Sequence, residues 1–144
     1  MKFEINIDNI NDNFTIDKDD IEQLVDFVLT HENYHNGDIG VVFVDHKYII
    51  ELNEKYLDKS DTTDVISFPL GETAKPEISG EIYINLDAVK ENSIDFEVPF
   101  SEEMYRMVIH GVLHLTGYND QTGEDKKTMT NRENYYLENY TKHV

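Results

Sequence analysis

Apolar and polar residues recur along the chain at spacings that predict strands and helices in mixed order. Residues 2–7 alternate, so Phe3, Ile5 and Ile7 are expected on the buried side of a strand. Other short apolar or alternating runs predict strands at 39–44, 64–68 and 80–84. Helical spacing predicts helices over about 17–34, 46–57 and 86–91, a central helix from 101, and a last helix after residue 125.

Residues at the predicted helix ends are typical of capping positions. Asp45 and Asn85 can accept backbone N–H groups at helix starts, and Ser101 is expected to open the central helix with two acids behind it. Asn36-Gly37 is expected to stop the first helix in the left-handed conformation. No repeat or linker interrupts the pattern. The pattern of apolar and polar residues therefore predicts one compact α+β domain over residues 1–144, with about four strands in a small mixed sheet and four or five helices.

Composition narrows the class of protein. The chain has 144 residues, of which 39% are hydrophobic, and this is enough for a packed core. The absence of cysteine excludes disulfides, thiolate metal sites and a cysteine nucleophile. The N-terminus lacks the basic and apolar regions of a signal peptide, and no apolar run is long enough to span a membrane. A cytoplasmic protein is expected.

The formal net charge is −18. Such a charge repels nucleic acids at long range, so it excludes a generic basic nucleic-acid binder, and no DNA partner is expected. It leaves room for a small positive groove on an acidic body.

Two histidines in an apolar segment are the main candidates for chemistry. His110 and His114 are four residues apart, so on a helix they share one face about 6 Å apart along the axis. Asp120 follows six residues later, and Gly117 between them can turn the chain back at little steric cost. Imidazole and carboxylate together suit Zn²⁺ and its neighbours. The spacing predicts a metal site made by His110, His114 and Asp120.

Core histidines satisfied by backbone carbonyls are the alternative interpretation. Burying two imidazoles without partners would cost about a few kcal/mol, and an ion supplies the missing partner. Gly111 stands where zinc peptidases carry their glutamate base, so peptidase activity is disfavoured. Three protein ligands leave one coordination position open. Non-haem iron oxygenases also use two histidines and a carboxylate, but no oxygenase-like pattern occurs elsewhere in the chain.

A second histidine pair matches the zinc-peptidase pattern more literally. Residues 31–35 contain His31, Glu32 and His35 in the order H-E-x-x-H. Their neighbours are polar and they lie at the predicted end of a helix, with no third ligand at a suitable distance. His31 and His35 are therefore interpreted as surface histidines.

Several segments together resemble one family. Residues 110–120 are similar to the signature H-G-x-L-H-L-x-G-Y-D-H of the YbeY family of bacterial endoribonucleases, which is linked to ribosomal RNA maturation. Residues 52–56 and 63–69 resemble its L-N-x-x-Y and T-D-V-L-S-F-P segments, and residues 80–84 resemble its G-D-I-x-I strand. The resemblance covers about residues 39–120 in the same order.

The resemblance implies a compact α+β fold and a metal site. By this resemblance His110 and His114 are metal ligands and Asp120 holds the third position, where the family mostly has histidine. The chain is thus expected to be a divergent member. Zn²⁺ is the expected ion, and the carboxylate is expected to shift preference toward Mn²⁺ or Fe²⁺.

The chain departs from the family pattern in the positive charge that would bind RNA. The family commonly has arginine where this chain has Leu57. Arg106, Lys55 and Lys59 are candidate substrate-binding residues, with surface ion pairs as the alternative for each. Asp64 is a further candidate, with a turn or strand-start cap as its alternative. No catalytic base is assigned.

The resemblance implies a metal-dependent endoribonuclease that is specific for single strands and acts on ribosomal RNA, in maturation and in ribosome quality control, with RNA and the ribosome as partners. One alternative is a ribosome-assembly factor whose metal is mainly structural. Another is a metal-dependent hydrolase of some other ester or amide. The pattern does not indicate an oligomeric state.

Overall fold

The described residues contain a small mixed sheet of four strands. The structure, a computed structural model, describes residues 3–57, 63–71 and 75–141. The strands are β1 (Phe3–Asn9), β2 (Asn36–Val44), β3 (Val65–Pro69) and β4 (Glu77–Asn85). Their order is β1-β2-β4-β3, with β2 parallel to β1 and β4, and β3 antiparallel to β4. Because β3 is an edge strand, Pro69 can end it without removing a hydrogen bond from the centre of the sheet.

Five helices accompany the sheet in the described part of the chain. They are α1 (Lys18–His31), α2 (His46–Tyr56), α3 (Leu86–Asp95), α4 (Phe100–Leu115) and α5 (Gly123–Thr141). The prediction of an α+β fold with a central helix carrying both histidines is confirmed. Within the described ranges no helix has the length and apolar character needed to cross a membrane.

Two of the predicted caps are confirmed and one is wrong. Asp45 accepts from the backbone N–H of Tyr48 at 2.8 Å, and Asn85 accepts from Ala88 at 3.2 Å. Helix α4 begins before Ser101, because the carbonyl of Pro99 accepts the N–H groups of the first turn. Pro99 makes no side-chain hydrogen bond, so the helix start is defined by backbone bonds alone.

The predicted end of the first helix is also wrong. Helix α1 ends at His31, and Asn33 takes the left-handed conformation with φ 70°. The N–H of Tyr34 bonds to the carbonyl of Leu29 at 3.0 Å, which closes a Schellman turn. Gly37 lies inside β2 instead, where a Cβ atom would be 1.7 Å from the carbonyl oxygen of Ile78. Asn33 replaces glycine in the turn because asparagine tolerates this conformation.

Apolar side chains lie on both faces of the sheet. Helices α1, α4 and α5 share the main core with one face, to which β4 contributes Ile82 and Ile84. Tyr83, between them, lies in a smaller cluster with Ile49 of α2 on the opposite face. This is the alternation expected of a strand. Helix α4, which carries the two predicted histidines, therefore lies on one face of the sheet, and helix α2 lies on the other.

Helix α4 packs unusually close to the sheet at Gly111. A Cβ atom there would be 2.5 Å from Cγ2 of Ile82 and 3.1 Å from Cγ2 of Val65. The hydroxyl of Ser67 in β3 donates to the carbonyl of Gly111 at 2.9 Å. Glycine is required by this packing, which gives a physical reason why the position cannot hold the glutamate of a zinc peptidase.

Replacing Gly111 with alanine tests this close approach. Because the added methyl group overlaps Ile82, we expect Gly111→Ala to reduce the free energy of unfolding by about 1–3 kcal/mol, despite the higher helix propensity of alanine. The measurement is urea unfolding followed by circular dichroism. Gly123→Ala at the start of α5 is the control, since nothing lies within 4 Å of its Cβ position. A Gly111→Ala protein as stable as the control would contradict the expected overlap.

Candidate metal centre

The predicted histidines meet at one point on the surface of α4. Their Nε2 atoms are 2.9 Å apart, and the two rings are nearly perpendicular, with centroids separated by 4.5 Å. The His110 side chain is 17% exposed and that of His114 is 27% exposed. The pair thus lies at the rim of the core, buried on one side and accessible on the other.

The chain returns to this point after leaving α4. Gly117 has φ 105°, a conformation that favours glycine, and turns the chain as predicted. The Oδ2 atom of Asp120 then lies 3.4 Å from Nε2 of both His110 and His114. One ligand atom from each of the three residues lies within 4.8 Å of the others. The structure thus brings together all three residues that the sequence predicted as metal ligands.

The outer nitrogen of each ring has a hydrogen-bond acceptor. Nδ1 of His110 is 2.5 Å from Oε2 of Glu133, and Nδ1 of His114 is 3.0 Å from the carbonyl oxygen of Tyr118. Neither acceptor can donate, so Nδ1 carries the proton in both rings. In the neutral rings both Nε2 lone pairs then point toward each other and toward the Asp120 carboxylate. Two lone pairs and a carboxylate form a donor set that fits a divalent cation.

Charges around His110 change the pKa of its ring. Burial alone would lower the pKa of His110, but the hydrogen bond and charge of Glu133, with Asp120 and Asp64, outweigh it and raise the pKa. A cation is therefore favoured at this ring, whether it is a proton or a metal ion. Since a histidine ligand must be neutral, a metal ion would replace the proton.

A buried carboxylate holds the segment that follows α4. Glu32, the C-cap residue of α1, accepts hydrogen bonds from Tyr136, from Arg132 at 2.5 Å and from the hydroxyl of Tyr118 at 2.9 Å. Tyr118 supplies the backbone carbonyl that orients His114. Burial would raise the pKa of Glu32, but these hydrogen bonds and the charge of Arg132 outweigh it, so its pKa is lowered.

The second histidine pair does not form a site. His31 and His35 are exposed, as predicted, and Nδ1 of His31 donates to the carbonyl of Phe27 at 2.8 Å. Glu32 between them is buried and bonded to Arg132, a role that its sequence surroundings did not indicate. The group of potential ligands found in the described residues is the one at 110, 114 and 120.

Arg106 and Asp64, two of the predicted substrate-binding residues, lie near the histidines. Arg106 donates to Glu133 at 3.1 Å and to Asn134 at 2.8 Å. Asp64 accepts from the side chain of Asn92 at 3.0 Å and acts electrostatically on His110. Arg106 is thus engaged in an ion pair, which was the alternative considered for it. Contact of either residue with RNA stays a prediction.

The lysines predicted to bind substrate are not placed beside the histidines in the described residues. Lys55 lies on α2, on the opposite face of the sheet, with Nζ 5.2 Å from the ring centroid of Tyr56. It lines a groove of about 480 Å³ with Phe68 and Tyr83. Lys59 lies outside the described residues. The structure therefore does not bring Lys55 to the histidine site, and its contact with substrate stays a prediction.

The fold and the site together define an α+β protein with two helical histidines and an aspartate converging at one open position. A profile of the family described as "Endoribonuclease YbeY" matches residues 6–141. An Endoribonuclease YbeY of Flavobacterium psychrophilum is 44% identical over 115 residues, covering 78% of this chain and 79% of the relative. One from Christiangramia forsetii is 36% identical over 134 residues, covering 92% and 91%.

A solved structure has a similar fold. The solution structure of a Thermotoga maritima protein is similar with a TM-score of 0.66 and 28% identity, over 94% of this chain and 88% of the other. The chain belongs to the endoribonuclease YbeY family. The family resemblance stated from residues 39–120 is confirmed.

The buried Glu32 gives a pH dependence of stability. Because its pKa is lower in the folded protein than the ordinary value of 4.5, its stabilising effect is complete above that pH. The effect is lost as the pH falls through the folded-state pKa. We expect Glu32→Gln to lower the free energy of unfolding by about 1–3 kcal/mol at neutral pH. The difference from the wild type should shrink below pH 4.5.

Urea unfolding between neutral pH and pH 3 measures this difference. Glu4→Gln serves as the control, because Glu4 is exposed on β1 and lies outside this network. A deficit in Glu32→Gln that persists undiminished at the acid end would contradict the assigned role of Glu32.

Proposed function

We propose that this protein is a metal-dependent endoribonuclease that cleaves single-stranded RNA during ribosomal RNA maturation and ribosome quality control. The proposal rests on one observation: His110, His114 and Asp120 direct their ligand atoms to one point, in a chain that belongs to an endoribonuclease family. His110, His114 and Asp120 are proposed as the metal ligands. Zn²⁺ is the proposed ion, because two of the three ligands are imidazoles.

The residues of the site have separable tasks in this proposal. A bound divalent ion supplies stabilisation for negative charge on a phosphoryl oxygen. His110 and His114 hold it through Nε2, with their Nδ1 protons held by Glu133 and the Tyr118 carbonyl. The Asp120 side chain, 43% exposed, lies on the open side from which RNA would approach.

The charge distribution favours a second candidate function. The net charge is −18, and Arg106 beside the site is paired with Glu133. Weak attraction of phosphates argues against direct cleavage of RNA, and the second candidate is a ribosome-associated assembly factor whose metal is mainly structural. A metal-dependent hydrolase of another ester or amide is the third possibility. Cleavage of RNA tests the first candidate, and unfolding of a variant that lacks one ligand separates a structural metal from a catalytic one.

Removing one ligand tests the proposed activity. Protein purified without a histidine tag should cleave single-stranded RNA, stop when a chelator removes the metal, and resume with one defined ion. His114→Ala should reduce cleavage by at least about 100-fold, because two ligands hold the ion poorly. The measurement is the rate of cleavage of an end-labelled RNA, with the matching duplex as the test of single-strand specificity.

The controls distinguish the candidates. Circular dichroism should show that His114→Ala remains folded. Equal cleavage by wild type and His114→Ala would refute the metal-dependent mechanism. A wild type that binds metal but never cleaves RNA, with a variant that unfolds, would support the assembly factor.

Asp120 tests which ion the site prefers. Exchanging the carboxylate for a neutral imidazole should favour Zn²⁺ over the harder Mn²⁺, because imidazole is the better ligand for Zn²⁺. We expect Asp120→His to raise the ratio of the Mn²⁺ to the Zn²⁺ dissociation constant by about tenfold. Competition with a chromophoric chelator measures both constants. Asp12→His, an exposed position in the loop after β1, is the control. An unchanged ratio in Asp120→His would mean that residue 120 does not coordinate the ion.

A further inference from the structure

Glu133 is a buried acid on α5 that the sequence did not single out. Its side chain is 7% exposed, and each of its oxygens has a different partner. Oε2 lies 2.5 Å from Nδ1 of His110, and Oε1 lies 3.1 Å from Nη1 of Arg106. A carboxylate with both oxygens engaged cannot rotate without breaking one of these bonds.

Arg106 holds the other side of this carboxylate. It lies one turn before His110 on α4, so both residues face α5. Its second terminal nitrogen, Nη2, donates to Oδ1 of Asn134 at 2.8 Å. The planar guanidinium thus donates hydrogen bonds to two successive residues of α5, and this fixes the direction of its bond to Glu133.

We infer that Glu133, held by Arg106, is a positioning residue that keeps His110 in the Nδ1-protonated tautomer, with its Nε2 lone pair directed at the ion. The inference rests on the proposed metal site. A carboxylate that accepts the outer N–H of a histidine ligand fixes the orientation of the ring and makes the ligand more basic. Arg106 supplies the positive charge that allows the carboxylate to be buried beside the site.

A structural ion pair between α4 and α5 is the competing explanation. It would make Arg106 and Glu133 important for stability without affecting which nitrogen of His110 is protonated. The two explanations therefore differ in a property of the imidazole itself, and the experiment has to measure that property as well as metal affinity.

Glu133→Gln is the test variant, because it keeps the shape of the side chain and removes the charge. Glu124→Gln on the same helix is the matched control, since Glu124 is exposed. Zn²⁺ dissociation constants come from competition with a chromophoric chelator, and urea unfolding reports stability. Long-range ¹H–¹⁵N NMR of the imidazoles reports the tautomer of His110 in the metal-free protein at a pH where the ring is neutral.

We expect Glu133→Gln to weaken Zn²⁺ binding by about 10–100-fold and to shift His110 away from the Nδ1-protonated form, while Glu124→Gln changes neither. Arg106→Lys should give a smaller loss of affinity, since lysine keeps the charge but not the fixed geometry. Lower stability with unchanged Zn²⁺ affinity and tautomer in Glu133→Gln would overturn the inference in favour of the structural ion pair.

Failure of the proposed function gives a different result. A wild-type protein that binds no Zn²⁺ and no other divalent ion would refute the metal site itself. The tautomer measurement on wild type then still tests Glu133 by itself, because it needs no metal and no folded variant. A predominantly Nε2-protonated His110 in wild type would overturn the positioning role.

Discussion

The close contact between α4 and the sheet is the constraint on which the site depends. Gly111 lets the helix backbone approach Ile82 and Val65, and Ser67 ties the carbonyl of Gly111 to β3. With this side of α4 held against the sheet, the neighbouring side carrying His110 and His114 falls at the rim of the core. Both rings are therefore restrained from the protein side and open to solvent on the other. Deeper burial would close the position where the three ligand atoms converge, and full exposure would leave the rings free to rotate.

The buried acids near the site are each paired with an arginine inside the protein. Glu133 is held between His110 and Arg106, and Glu32 is held by Arg132 and two tyrosines. Both arginines are therefore occupied inside the protein. In the proposed enzyme a bound metal ion would add positive charge at the reacting phosphate, on a chain whose net charge is −18.

The two histidine pairs show how far a local motif can be trusted. Residues 31–35 match a catalytic pattern letter for letter, yet they occupy the end of α1, where the histidines are exposed and Glu32 turns inward to Arg132. The pair at 110 and 114 departs from that pattern at Gly111 but lies on a buried helix that ends in a glycine turn. Periodicity and the turn carried the correct information, because they determine where side chains point.

Local patterns in the sequence determined the fold class, the helix with both histidines and the return of Asp120 to these histidines. These depend on period, on i,i+4 spacing and on the φ of Gly117, all of which act over a few residues. The end of α1 and the start of α4 were predicted wrongly, because Asn33 and Pro99 act through backbone bonds that other residues could also make. The groups that orient the rings came only from the tertiary structure. Glu133 is 23 residues from His110, and Glu32 is 86 residues from Tyr118. A buried carboxylate acquires its role from the partner that the fold places against it, and no local pattern contains that partner.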